Sequence, residues 1–174
     1  MAGTRHLVRL DGDAPSAQPV GVTAAPTALD SLVLGAQVAA TWAMVGLIWF
    51  VQVVHYPLFG WIGDDEAVPY AIEHQRRTAL VVGLPMAVEG VTALWLLADP
   101  PAGSSRVWPF VGCVLLAVVH SSTVLLQVPQ HAALARANDA ERIRRLVRSN
   151  WIRTAAWTAR GLVTVVLLVA ALRT

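Results

Sequence analysis

Apolar residues gather into four long runs along the chain, Leu32 to His55, Thr78 to Ala98, Val107 to Val128 and Trp151 to Leu172, separated by segments rich in Pro, Gly, Asp and Arg. A helix needs about 20 residues, at roughly 1.5 Å of rise each, to cross about 30 Å of hydrocarbon. Each run meets that length. Helices of a soluble bundle would carry a broad polar face for water, and these runs do not. The pattern predicts an all-α, integral membrane four-helix bundle in up-down-up-down order.

Between the runs, local signals set expected boundaries. Asp30 and Ser31 offer N-cap oxygens to the first helix, which should end at Tyr56 because Pro57 restricts its predecessor. Leu58 to about Tyr70 reads as a loop, and Ala71 to Arg77 as a helical lead-in to the second span. Pro85 marks a candidate kink, and Asp99-Pro100-Pro101-Ala102-Gly103 a short turn. The third helix should run from Trp108-Pro109 to Pro129. After it, Ala132 to Arg148 read as an exposed, arginine-rich helical connection, and the fourth helix should begin near Asn150.

Residues 1–30 show no helical periodicity and include the turn-prone Asp11-Gly12-Asp13-Ala14-Pro15, so a flexible tail is expected ahead of a membrane domain spanning 31–174. The tail lacks the order of a signal peptide, so the first span should be retained. No internal repeat supports a duplicated transporter.

Composition narrows the chemistry. The chain is 56% hydrophobic and only 14% charged, with a net charge of +2. Cys113 is the only cysteine, which excludes an intrachain disulfide and a cysteine-rich zinc or iron–sulfur centre. Every basic residue is Arg, a bias that suggests a GC-rich bacterial genome. Arg76, Arg77, Arg136, Arg142, Arg144, Arg145 and Arg148 belong to one face, and Arg5, Arg9, Arg106 and Arg173 to the other. By the excess of arginine in cytoplasmic loops, the first and third connections should lie in the cytoplasm and both termini outside the cell membrane. The expected partners are the lipid bilayer, including anionic headgroups at the arginine-rich face, and a hydrophobic small molecule. Nucleic acid is not expected, and a homo-oligomer is left open.

Polar groups inside apolar spans are costly and normally face the bundle interior. At about 100° per residue, Thr41, Gln52 and His55 share one face of the first helix. His74, Thr78, Pro85, Glu89 and Thr92 form a stripe on the second, and His120, Thr123, Gln127 and His131 on the third. On the fourth, Asn150 aligns with Trp157 and Arg153 with Arg160. His55, His74, Gln127, His131, Asn150 and Arg153 thus make a layer at the mouth, and Glu89, His120 and Arg160 lie roughly 14 to 18 Å deeper.

A guanidinium in hydrocarbon costs about 2.5 to 3.5 kcal/mol even on the lenient insertion scale, and it keeps its proton. Glu89 is the one carboxylate at the depth of Arg160, so an ion pair between them is expected, with His120 close by. Such a network could also serve only to lock the bundle. His55, His74 or Glu73, and His131 suit a transition metal, iron or copper, at the mouth. Haem on His55 and His120 is disfavoured by their difference in depth, and a site without any cofactor stays open. Trp61, Trp95, Trp108 and Trp151 read as interfacial anchors, whereas Trp42, Trp49 and Trp157 are deep enough to line an apolar substrate pocket.

In size, in its four spans, in Glu89-Gly90 and in the segment Leu146 to Arg153, LVRSNWIR, the chain resembles the small membrane proteins of the anthrone-oxygenase-like family. Members of that family with an assigned activity oxidise a phenolic polyketide to a quinone with molecular oxygen. The resemblance implies a membrane-embedded, oxygenase-like oxidoreductase acting on a hydrophobic small molecule. Such chemistry needs a base and a partner for the developing oxyanion. His120 is the expected base, with Glu89 beside it, and Arg153 or Arg160, aided by Asn150, is expected to hold the anion. Gln52, Gln127 and Trp157 are the expected substrate contacts. Two other readings compete: a membrane partner or assembly protein whose polar interior only specifies packing, and a small proton or solute carrier built on the stripe His131, Gln127, His120 leading to Glu89.

Overall fold

The structure, a computed structural model, describes residues 27–173. The tail expected over residues 1–30 lies outside the described residues as far as residue 26. Among the described residues all regular structure is helical. Four helices, α1 (Ala28–Trp61), α2 (Asp64–Ala98), α3 (Val107–Leu134) and α4 (Ala140–Ala171), are each long and apolar enough to cross a bilayer.

The end of the expected tail is helix α1. Its N-cap is Thr27, rather than Asp30 or Ser31. The Thr27 hydroxyl accepts from the Asp30 N–H at 3.2 Å, and the Asp30 carboxylate accepts from the Thr27 N–H at 2.9 Å. This reciprocal box satisfies two donors that a helix start leaves free. At α4 the Asp139 carboxylate accepts from the N–H groups of Glu141 and Arg142, which holds its pKa below the ordinary value.

The helices outrun the expected spans at one end of the molecule. α1 continues past Pro57 to Trp61, α2 begins at Asp64, α3 passes Pro129 to Leu134, and α4 begins at Ala140. The first connection therefore shrinks to Ile62 and Gly63. The cause is local. A proline inside a helix donates no N–H and its ring strikes the carbonyl four residues back. Both α1 and α3 answer with one π turn, Val51–His55 and Thr123–Gln127, each ending two residues before its proline. Tyr56 N–H bonds the Val51 carbonyl, and Val128 N–H bonds the Thr123 carbonyl. The wider turn accommodates the ring and the helix resumes.

Packing reverses the soluble pattern. Leu32, Leu80, Leu84, Val91 and Leu125 are exposed, while Gln37, Thr41, Gln52, Glu89, Gln127, Asn150, Arg153 and Arg160 are buried. Three apolar clusters stack between the helices. Leu34, Leu96, Val163 and Leu167 form one, and Met44, Val45, Ile48, Leu116, Val119 and Trp157 the next. Tyr56, Phe59, Ala71, Leu134, Ile143 and Leu146 form the third. α1 packs closely on α2 and α4, and α3 on α4, but α2 and α3 meet only sparsely. Two glycines permit the closest approaches. A Cβ at Gly161 would stand 3.3 Å from Val45 Cγ2, and one at Gly112 would stand 3.3 Å from Arg160 Nη1.

Candidate functional site

Two polar layers occupy the interior, and they differ in kind. The deeper one is closed. Arg160 Nε donates to Glu89 Oε2 at 2.7 Å, its Nη2 donates to the same oxygen, and its Nη1 donates to the Gly112 carbonyl. Gln37 Nε2 donates to Glu89 Oε2 at 2.8 Å and the Thr41 hydroxyl to Glu89 Oε1, while the Thr92 hydroxyl donates to Gln37 Oε1 at 2.8 Å. Glu89 is 0% exposed and Arg160 2%. The ion pair expected from depth is therefore present. No side-chain polar atom of this network lacks a partner, and the void beside it measures about 10 Å³, room for one water at most.

His120 does not join it. The buried line of α3 runs through Gly112, Leu116, Val119 and Ser122, and His120 stands one residue out of phase, exposed on the outer surface. Its Nδ1 bonds the Leu116 carbonyl of its own helix at 2.9 Å, so the outward position still satisfies one ring nitrogen. Trp157 is 0% exposed within the middle apolar cluster and lines neither the mouth cavity nor the void beside Glu89, while Trp42 and Trp49 are exposed.

The mouth layer is open. A cavity of about 700 Å³ lies between α1, α2 and α3, backed by Arg153 of α4. Most of its wall is apolar, from Met44, Leu47, Ile48, Val82 and Met86, and its polar groups collect at the Tyr56 end. There His55, Tyr56, His74, Gln127, His131 and Arg153 all line it. The π turns set this arrangement, because each adds a residue to its turn and brings His55, Tyr56 and Gln127 round to the cavity.

The polar contacts at that end are specific. Tyr56 Oη and His131 Nε2 are 2.9 Å apart, His55 Nε2 and His74 Nδ1 2.8 Å, and the Thr78 hydroxyl is 3.2 Å from His74 Nδ1. Gln75 Nε2 donates to the His131 carbonyl at 3.2 Å. Arg153 Nη1 donates to Asn150 Oδ1 at 3.1 Å, Asn150 Nδ2 donates to Gln52 Oε1 at 3.0 Å, and Gln52 Nε2 donates to the Val147 carbonyl at 3.2 Å. Gln52 and Asn150 thus stand behind Arg153 and fix it, rather than lining the cavity. Tyr56 also interacts with the Arg153 guanidinium.

Arg153 differs from Arg160 in one respect that decides its chemistry. It is 9% exposed and forms no ion pair among the described residues, and its Nε has no acceptor. Gln127 Oε1 and His131 Nδ1 are likewise buried without partners. A buried charge without a counter-ion is costly, and unpaired polar atoms around it add to that cost.

The histidines do not fit the expected metal. They come together, with ring centroids 4.6 Å apart for His55 and His74 and 5.1 Å for His74 and His131. Their nitrogens, however, bond one another and Tyr56 instead of converging on a point, and Glu73 is taken by Arg76 and Arg77. Among the described residues no group of three or more His, Cys, Asp or Glu is placed to hold a metal ion. Haem on His55 and His120 fails because His120 faces outward.

Sequence reasoning missed Tyr56, Gln37 and Gly112. Gln37 lies one turn before Thr41 on the face already identified, so extending that stripe would have found it. Tyr56 was hidden by ending the helix at the proline. No protein-family profile, curated protein or solved structure matches the chain.

Proposed function

We propose that this chain is a multi-pass cell-membrane enzyme, an oxygenase-like oxidoreductase that acts on a weakly acidic hydrophobic small molecule in the mouth cavity. The observation that carries the reading is Arg153, a buried guanidinium with no carboxylate partner among the described residues, set on the wall of a largely apolar cavity. A fixed positive charge in a largely apolar site is suited to an oxyanion that develops during reaction. The helices cross the bilayer up-down-up-down, with the cavity and the arginine-rich connections toward the cytoplasm and both termini outside.

In this mechanism His131 takes the proton of a carbon acid next to a carbonyl, Arg153 holds the enolate oxygen, and Tyr56 relays the proton from His131. Asn150 and Gln52 keep Arg153 in place. The carbanion combines with dioxygen and a proton to give a hydroperoxide, which loses water to leave a carbonyl, so that CH2 and O2 become C=O and H2O. His120 is replaced as base by His131, which lines the cavity. Glu89 and Arg160 hold the helices together and take no part in the chemistry. Their closed network, and the outward turn of His120 that interrupts the inward stripe, weigh against a proton carrier.

Oxygen uptake with anthrone as substrate, by purified protein in lipid nanodiscs, tests the reading. Wild-type protein should form anthraquinone and water. His131→Ala and Arg153→Gln should each lose about a hundredfold or more of the rate, the loss expected on removing a general base or an oxyanion donor. Equal rates for wild type, variants and empty nanodiscs would remove the enzyme reading.

A further inference from the structure

The mouth cavity is a slot. Its lining along α1 runs from Met44 to Tyr56, about 18 Å at helical rise, and along α2 from Tyr70 to Met86, about 24 Å. A sphere of the same volume would be only roughly 11 Å across. Polarity is graded along it, with Arg153, His131 and Tyr56 at one end and Met44, Val82 and Met86 at the other. Phe50, Val81 and Val128 line the slot and are also exposed on the apolar outer surface. The slot therefore reaches the apolar outer surface sideways, at residues carried by α1, α2 and α3.

We infer that the slot takes a single-chain amphiphile with one anionic oxygen head group, admitted laterally from the leaflet on the Arg153 side. The head rests on Arg153 and the chain lies toward Met44 and Met86. This goes beyond the proposed function and names a further ligand class of the same cavity. The charge follows from Arg153: it supplies one positive charge that no carboxylate among the described residues balances, and an anion there relieves a buried, uncompensated cation. The single chain follows from the volume, which suits one small ligand, and from the apolar far end. Orientation follows from the bilayer. An amphiphile already has its head at the interface and its chain toward the midplane, so it enters without turning over.

Photo-crosslinking in lipid nanodiscs tests this, with palmitate carrying a diazirine near its chain end, the matched diazirine hexadecanol as neutral control, and the labelled peptides mapped by mass spectrometry. The acid should label the segment containing Val82 and Met86, with roughly tenfold more product than the alcohol. Arg153→Gln should lower acid labelling roughly tenfold, to the level of the alcohol, and Arg153→Lys should restore most of it. Met86→Trp fills the far end away from the charge and should also suppress labelling, at unchanged thermal stability. Labelling spread over the outer apolar surface, or equal for acid and alcohol, or indifferent to Arg153→Gln, would overturn the inference. Anthrone turnover without specific acid labelling would leave the enzyme standing and remove the amphiphile; specific labelling without turnover would do the reverse.

Discussion

Arg153 and Arg160 are two turns apart on α4, both nearly buried, with opposite surroundings. Arg160 has a carboxylate and a backbone carbonyl as partners, and Gln37 and Thr41 of α1 donate to that carboxylate. Removing one member of such a pair strands the other charge, at a cost of about 3 to 5 kcal/mol, whereas replacing both with apolar groups of similar size is often neutral. Glu89→Leu should therefore lower the thermal unfolding midpoint in detergent sharply, and adding Arg160→Met should recover most of the loss. A double variant as unstable as the single one would show that the charges themselves are needed. The pair was legible in the sequence because one carboxylate and one arginine share a depth and neither is tolerable alone. His120 was not legible, since a histidine can satisfy a nitrogen on its own helix backbone and so need not face inward.

At the scale of the element, the two prolines do more than mark helix ends. Pro57 and Pro129 follow π turns at the same offset, and those turns place His55, Tyr56 and Gln127 on the cavity. Restoring the missing N–H lets the turn relax toward α-helical spacing and rotates the residues beyond it. The double variant Pro57→Ala, Pro129→Ala should remain folded, with helix content unchanged by circular dichroism, while its anthrone oxidation falls. Unchanged oxidation would show that the prolines do not set the site. The boundaries lie beyond those the sequence suggests because proline normally stops a helix when no wider turn absorbs the ring, and here a π turn does.

For the whole molecule, the structure has four helices long and apolar enough to span a bilayer, with apolar outer faces; the proposed up-down-up-down crossing puts the first and third connections on one side and the second on the other. In a Cys113→Ser background, Ala137→Cys lies in the third connection and Ser105→Cys in the second, both exposed. A membrane-impermeant thiol reagent on intact cells should label Ser105→Cys and reach Ala137→Cys only after permeabilisation. Both cysteines labelled from outside would overturn the crossing order, and the reverse pattern would invert the orientation.

What the linear sequence determines is what depends on local chemistry and on hydrophobic length: four helices long and apolar enough to span a bilayer, their approximate limits, and the pairing of Glu89 with Arg160. These follow from chain length per turn and from the cost of charge without water, and both can be read position by position. Which polar group faces a cavity and which faces a partner was decided only by tertiary packing. Two π turns shift the helical phase, and sparse contact between α2 and α3 leaves space that no periodicity records. Arg153 and Arg160 are both arginines on the same helix face; the neighbours that folding brings to each pair one with Glu89 and leave the other without a carboxylate among the described residues.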